Sequence, residues 1–393
     1  MTSAFLAGCM RKAKPTLPPP TLALTQTPSP PTSTSTMNTP TSPPIVSLAH
    51  KIGQMLMVGF RGLTVDANSP IVQDIRNHHL GGVVLFDYDV PTARFERNIA
   101  SPAQLKALTT ALQSFAATGL LIATDQEGGL VNRLREGYGF PPTVSHQMLG
   151  TLNDPAVTRE QAGAMARTLS GMGINFNLAP VVDLNLNPTN PAIGLYERSF
   201  SADPAIVIEH AQVFIDAHHA AGVLCALKHF PGHGSSTADT HLGIADVSKT
   251  WSRRELEPYT ALIAAGEADA VMTAHVFNAN LDPTYPATLS QPIISGLLRK
   301  ELGYDGVVIT DDMQMGAIRT QYGFETAIQK TIEAGVDIIA IANNLVYEED
   351  VVGRTVALIQ RLVAAEIISE ARIDASYQRI QRLKSKLATS AGA

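Results

Sequence analysis

The segment GVLCALKHFPGHGSSTADTH, Gly222–His241, carries the pattern on which the reading of the whole chain turns. A glycine precedes an apolar run, Val223–Leu227, which shows no polar alternation and stops abruptly at Lys228-His229. Continuous apolar character over so short a span is what a parallel strand covered on both faces requires. The residues that follow do not fill cores: Lys228, His229, His233, Asp239 and His241 must each be hydrated or paired. A strand emptying into so dense a set of titratable groups points to a working site rather than to loop decoration.

Working outward, the same theme recurs along the chain past residue 45: a short apolar run, a polar loop, then an amphipathic segment closed by glycine. The strand candidates are Gln54–Phe60, Gly82–Phe86, Leu120–Asp125, Ile174–Asp183, Val223–His229, Ala268–His275, Gly306–Asp311 and Val336–Ala342. Helix starts are marked by Ser101-Pro102, Asp154-Pro155 and Asp203-Pro204, each a capping residue before a proline suited to the first helical position. Gly119, Gly222, Gly266 and Gly335 read as helix stops before the next strand, and a last helix is expected over Ser369–Leu387. Alternating βα units in this number predict an α/β fold of (β/α)8 TIM-barrel type in a single domain, which takes ~250 residues plus insertions. A doubly wound sheet is the alternative. In a barrel the chemistry sits at the C-terminal strand ends, and the unusual polar residues fall there: Asp125, Asp183, Lys228-His229, His275 and Asp311-Asp312 end the third to seventh runs.

The chain of 393 residues is 45% hydrophobic and 16% charged, so it is globular and long enough for a large core. A net charge of -6 offers no basic field, so nucleic acid is not an expected partner. No apolar run reaches the roughly 18 residues that span a bilayer. Cys9 and Cys225 lie in contexts too different for a disulfide, and no zinc-like cysteine spacing exists. Residues 1–9 end in LAGC, similar to the lipobox at which bacterial lipoproteins are cleaved and acylated, although only MTSAFLAG precedes Cys9, a start that reads as truncated. Residues 10–45 are rich in Pro, Thr and Ser, a composition that reads as a disordered tether. A tether after a lipobox predicts a cell-envelope protein lipid-anchored through Cys9, with a cytoplasmic enzyme carrying a disordered leader as the alternative. The barrel is then expected over 46–388, with too little chain left for a second domain, and a monomer is expected.

The chemistry-bearing residues allow several readings on their own. GVVITDDM, Gly306–Met313, drives a strand into two aspartates, and such a carboxylate can be a nucleophile, a metal ligand or, most readily for Asp312, a helix N-cap. Asp239 and His241 sit two residues apart, where the carboxylate can orient and charge-stabilise an imidazole suited to giving and taking protons near neutrality. The neighbouring glycines and Ser235-Ser236 suggest a loop that moves and lets His241 swing over a substrate. TDQEGGLVNR, Thr124–Arg133, places Asp125 at a strand end and Arg133 beyond a Gly-Gly turn, groups able to bond the hydroxyls of a sugar.

Taken in order, TDQEGG, APVVDLNLNP (Ala179–Pro188), ERSF (Glu197–Phe200), KHFPGHGSSTADTH, VMTAHV (Val271–Val276) and VITDDM resemble glycoside hydrolase family 3, in particular its single-domain bacterial β-N-acetylglucosaminidases. The resemblance covers roughly residues 48 to 345. It implies that Asp311 is the nucleophile of a covalent glycosyl-enzyme intermediate, His241 the general acid/base and Asp239 its partner. It implies further that Asp125, Arg133, Arg198, Lys228 and His229 hold the sugar, with Asp183 and His275 lining or supporting them. Two-domain relatives bring a glutamate acid/base from a further domain, so here the histidine loop is expected to serve. Leu130 stands where the family usually has arginine, and Tyr196 precedes ERSF where relatives vary.

The expected function is a retaining β-N-acetylhexosaminidase, a β-N-acetylglucosaminidase without cofactor or metal. Its substrate would be terminal N-acetylglucosamine on glycosides such as cell-wall fragments, as in peptidoglycan turnover. Alternatives are a β-glycoside phosphorylase or other β-glycosidase on the same site, since a neutral histidine repels phosphate less than a carboxylate would. A metal-dependent hydrolase using His229, His233 and His241 is a second, although MLMVGF (Met55–Phe60) lacks the paired histidines common after the first strand of such barrels. A non-catalytic sugar-binding lipoprotein is the third.

Overall fold

In the computed structural model, eight short strands take up the eight apolar runs: β1 Leu56–Gly59, β2 Gly82–Val84, β3 Leu121–Thr124, β4 Phe176–Asn177, β5 Leu224–Phe230, β6 Ala270–Thr273, β7 Val307–Thr310 and β8 Ile339–Ile341. The structure describes Pro18, Pro20, Thr21 and residues 46–390, with side chains up to Leu387. Cys9 and nearly all of the Pro/Thr/Ser-rich stretch therefore lie outside the described residues. Each strand runs parallel to its sequence neighbour, and β8 returns to β1 with Leu56 opposite Ile339. The ring closes between β7 and β8, where Ile309 and Ile338 bridge and Thr310 N donates to Ile338 O at 3.0 Å. This is the expected (β/α)8 barrel. A doubly wound sheet would leave two open edges.

Every β5 residue is buried, and so are those of β1, β3, β6 and β7, which accounts for apolar runs without alternation. Helices Pro102–Phe115, Pro155–Gly171 and Pro204–His219 begin where expected, with the Ser101, Asp154 and Asp203 side chains accepting backbone N–H bonds from the first turn. Three corrections concern boundaries. Gln54 ends the helix Leu48–Gln54 instead of opening β1, because its side chain is spent on His79 O and Thr118 below the barrel. The fourth run pairs regularly only at Phe176–Asn177, with a lone bridge at Val181, since Pro180 has no N–H for the ladder. Gly119 stops no helix: Pro102–Phe115 has already ended at Ala116.

The last helix, Glu370–Ser390, begins with Arg372 N bonded to Ser369 Oγ and ties the N-terminal face of the barrel together. Asp337, fully buried just before β8, accepts from Arg299 (2.6 Å), Ser376 (2.7 Å) and Val308 N (3.0 Å). These bonds fix β7 against β8 from below and leave the opposite rim for the site.

Candidate active site

The loops beyond the C-terminal strand ends enclose one cavity of about 410 Å³. Its floor is built where β5 ends. Lys228, almost fully buried, reaches Asp125 Oδ1 at 2.7 Å and Glu127 Oε1 at 2.6 Å. Burial opposes its charge, but the two carboxylates hold the ammonium above its ordinary pKa. Glu127 in turn accepts two bonds from Arg198, each 2.8 Å, in the bidentate geometry that suits guanidinium and carboxylate. Burial would raise the Glu127 pKa, yet Arg198 and Lys228 bring it well below the usual carboxylate range.

His229 is fixed at both nitrogens. Nδ1 lies 2.7 Å from Asp183 Oδ2 and Nε2 lies 3.1 Å from Arg198 Nη2. A guanidinium only donates, so Nε2 accepts and Nδ1 donates to Asp183. Asp183 also accepts from the backbone N–H groups of His229 (3.2 Å) and His233 (2.8 Å), and so braces the chain as it leaves β5. It is fully buried and lies off the cavity wall, where it supports the wall from behind. His275 is likewise a support, bonded to Asp312 O at 2.9 Å and to Thr288 Oγ1 at 2.8 Å.

Asp311 leaves β7 into the cavity and accepts Asp312 N at 2.8 Å. Burial alone would raise its pKa, but the nearby His275, His229 and His241 bring it down to about 2, so it is ionised. Its neighbour Asp312 is different. Burial pushes its pKa up to about 6, and its Oδ1 is committed to Ala342 N (2.9 Å) and Gln314 N (3.1 Å), a turn-holding and strand-tying role close to the capping reading.

His241 opens into the same cavity as Asp311 and interacts with it electrostatically. Asp239 Oδ1 accepts from His241 N at 2.9 Å and lies 2.7 Å from Nδ1, and this bond raises the imidazole pKa above 6.5. Nε2 is the nitrogen left to exchange a proton. Ser235 and Ser236 both use their hydroxyls in hydrogen bonds. Ser235 Oγ donates to buried Glu255 at 2.6 Å, Ser236 Oγ to Ala238 O at 2.9 Å. A Cβ on Gly234 would fall 1.7 Å from Leu184 O, so that glycine serves close packing. Farther on, Thr240 O and His241 O accept from Ala317 N and Gly316 N at 3.2 Å, docking the loop beside β7. His241 lines the cavity in this conformation of the loop.

The sequence agrees with this construction along the barrel, since residues 47–383 match the family described as "Glycosyl hydrolase family 3 N terminal domain". The chain belongs to glycosyl hydrolase family 3. A curated relative, the beta-hexosaminidase of Xylella fastidiosa strain M23, is 40% identical over 298 residues, covering 74% of this chain and 83% of its own. Among solved structures, a family 3 beta-N-acetylglucosaminidase from Paenibacillus sp. str. FPU-7 superimposes with a TM-score of 0.80 at 38% identity. That match covers 89% of this chain but only 64% of the Paenibacillus chain. The beta-N-acetylhexosaminidase of Beutenbergia cavernae gives a TM-score of 0.77 at 32% identity, covering 87% of this chain and 99% of its own.

Within this family 3 barrel, Asp125, Arg133, Arg198, Lys228, His229, Asp239, His241 and Asp311 all line one cavity, while Asp183 and His275 stand behind it. His229 has both nitrogens engaged, by Asp183 and Arg198, and among the described residues no three His, Cys, Asp or Glu side chains are grouped so as to hold a metal ion. Two site residues escaped the sequence reading. Asp87 follows the second apolar run directly and lines the cavity with Oδ1 lacking a hydrogen-bond partner, a placement the strand-end rule could have flagged. Glu127 was visible in TDQEGG, but its partner Arg198 is far away in sequence.

Glu127→Ala leaves two buried cations short of their shared carboxylate, and it is expected to destabilise the fold by about 3–5 kcal/mol. A urea melt reads this as a lowered midpoint at unchanged slope. A loss below about 1 kcal/mol, the range of exposed pairs, would contradict the buried network.

Proposed function

We propose that this chain is a retaining β-N-acetylhexosaminidase that hydrolyses terminal β-linked N-acetylglucosamine from glycosides. The observation that carries the reading is that ionised Asp311 and the Asp239-backed His241 open into one cavity whose floor is a fixed set of hydrogen-bonding charges. The names of the Xylella, Paenibacillus and Beutenbergia relatives support the choice of sugar.

In the first step an oxygen of Asp311 attacks the anomeric carbon, the bond to the leaving oxygen breaks, and His241 Nε2 gives that oxygen its proton. In the second, His241 takes a proton from water as the water oxygen displaces Asp311. Asp239 holds His241 protonated ahead of the first step and stabilises the imidazolium as it re-forms in the second. Asp125, Lys228, Arg133 and Arg198 serve as positioning groups for the sugar hydroxyls, held by their mutual pairing so that little reorganisation is needed on binding. A binding protein without activity would have no use for an intact nucleophile and Asp-His pair in one cavity. The excess of carboxylates around the cavity favours water over phosphate as acceptor, since phosphate must enter against their field. The Cys9 lipid anchor, which would place the barrel on a tether at the cell envelope, is likewise a proposal that rests on LAGC and the Pro/Thr/Ser-rich stretch.

The test is an assay of aryl β-N-acetylglucosaminide beside aryl β-glucoside, with and without phosphate. The expected outcome is turnover of the first at a kcat/KM at least about 10²-fold higher, as sites that bond a distinguishing polar group achieve, and no dependence on phosphate. Preference for the glucoside would overturn the sugar assignment, and a phosphate requirement the hydrolytic one.

A further inference from the structure

The cavity changes character with depth. At the floor, Glu127, Lys228 and His229 are buried and charged or hydrogen-bonded. At the mouth, the same cavity is lined by Val90, Leu130, Pro191, Tyr196 and Leu345, none of which carries a charge. Val90 is 45% exposed, Leu130 61% and Tyr196 49%, so large apolar side chains face water beside a polar pit. Two of them are held in place by the site itself. Leu130 follows Gly128-Gly129, whose φ of 98° and 60° suits the left-handed region, and lies three residues past Glu127. Tyr196 closes the short turn Gly194–Tyr196, two residues before Arg198. The Glu127–Arg198 pair therefore ties together the two turns that present Leu130 and Tyr196.

We infer that this mouth is an aglycone subsite that takes a neutral ring, the second pyranose of a chito-oligosaccharide, and disfavours an aglycone bearing a carboxylate. The inference rests on the hydrolase reading, which places the scissile bond against Asp311 at depth and so directs the leaving group outward. A pyranose has an apolar C–H face that packs on a tyrosine ring and on aliphatic side chains. Charge decides against the acidic alternative. Six carboxylates, Asp87, Asp125, Glu127, Asp239, Asp311 and Asp312, line the cavity against the three cations Arg133, Arg198 and Lys228 and the imidazolium of His241. Lys228 and Arg198 are already spent on Glu127 and Asp125. Arg133 stands 3.9 Å from Asp87 and 4.0 Å from Asp125. No cation lines the apolar mouth to receive a further anion.

The test compares three substrates on the full chain: N,N′-diacetylchitobiose, the disaccharide of N-acetylglucosamine on N-acetylmuramic acid, and the methyl ester of that acid. Acid and ester share the same bulk and differ in charge. The expected kcat/KM of the acid is at least about tenfold below that of chitobiose, with most of the loss recovered in the ester. Leu130→Arg is expected to raise the acid relative to chitobiose severalfold, and Tyr196→Ala to raise KM for chitobiose about five- to tenfold. An acid cleaved as fast as its ester and chitobiose, or a chitobiose KM indifferent to Tyr196→Ala, overturns the inference. Failure to cleave any of the three, and the aryl N-acetylglucosaminide as well, would instead remove the hydrolase reading beneath it.

Discussion

Asp311→Ala is expected to lower kcat on an aryl β-N-acetylglucosaminide by about four to six orders of magnitude, the scale on which loss of a nucleophile acts. The carboxylate is the one group in the cavity that is both held ionised, with a pKa of about 2, and free of a salt-bridge partner. Its single short bond, from Asp312 N, stays within its own turn, so the variant should keep the far-ultraviolet circular dichroism of the parent. Added azide should restore part of the turnover and yield the α-configured glycosyl azide, because a small anion can enter where the carboxylate stood and attack the same face. Near-native rates in this variant would remove the role assigned to Asp311. Loss of activity together with loss of fold would mean that its contribution is structural.

His241→Ala should slow substrates with poor leaving groups by about 10²–10⁴-fold, while aryl glycosides with acidic phenols lose less than about tenfold in the glycosylation step. Only the former need a proton delivered to the leaving oxygen. Equal losses on both would argue against an acid role. The pH profile follows from the same geometry. The bond to Asp239 raises the His241 pKa above 6.5, so the protonated acid persists to higher pH, and kcat/KM on a poor leaving group should fall only as pH rises through that raised value. Asp239→Asn removes the raising charge and should move the fall to lower pH. Asp311 stays ionised throughout this range, so it contributes nothing to that limb.

The barrel was legible because its strands are parallel and doubly covered. Burial on both faces forces continuous apolar runs such as Val307–Thr310, and the chemistry begins where each run stops. Capping residues before proline marked three helix starts for an equally local reason: Ser101, Asp154 and Asp203 satisfy N–H groups only two or three residues away. What stayed hidden depends on pairing across the chain. Nothing near Glu127 announces that Arg198 will grip it in a bidentate pair, or that Lys228 will sit between it and Asp125. Gln54 looked like the start of an apolar strand, because the polar pocket that claims its side chain is assembled from His79 and Lys384. The partner of Ser235 was hidden in the same way, because the buried glutamate it donates to lies in the next helical turn, Arg253–Leu256.

In the proposed mechanism Asp311 attacks the anomeric carbon while His241 faces it across the sugar. The most direct measurement is mass spectrometry of the protein after incubation with a fluorinated N-acetylglucosaminide whose intermediate breaks down slowly. One sugar is expected per chain, located after proteolysis on the peptide that carries Asp311 and absent from the Asp311→Ala variant. A label on Asp312 or Asp125 instead, or release of sugar with inverted configuration and no label at all, would contradict it.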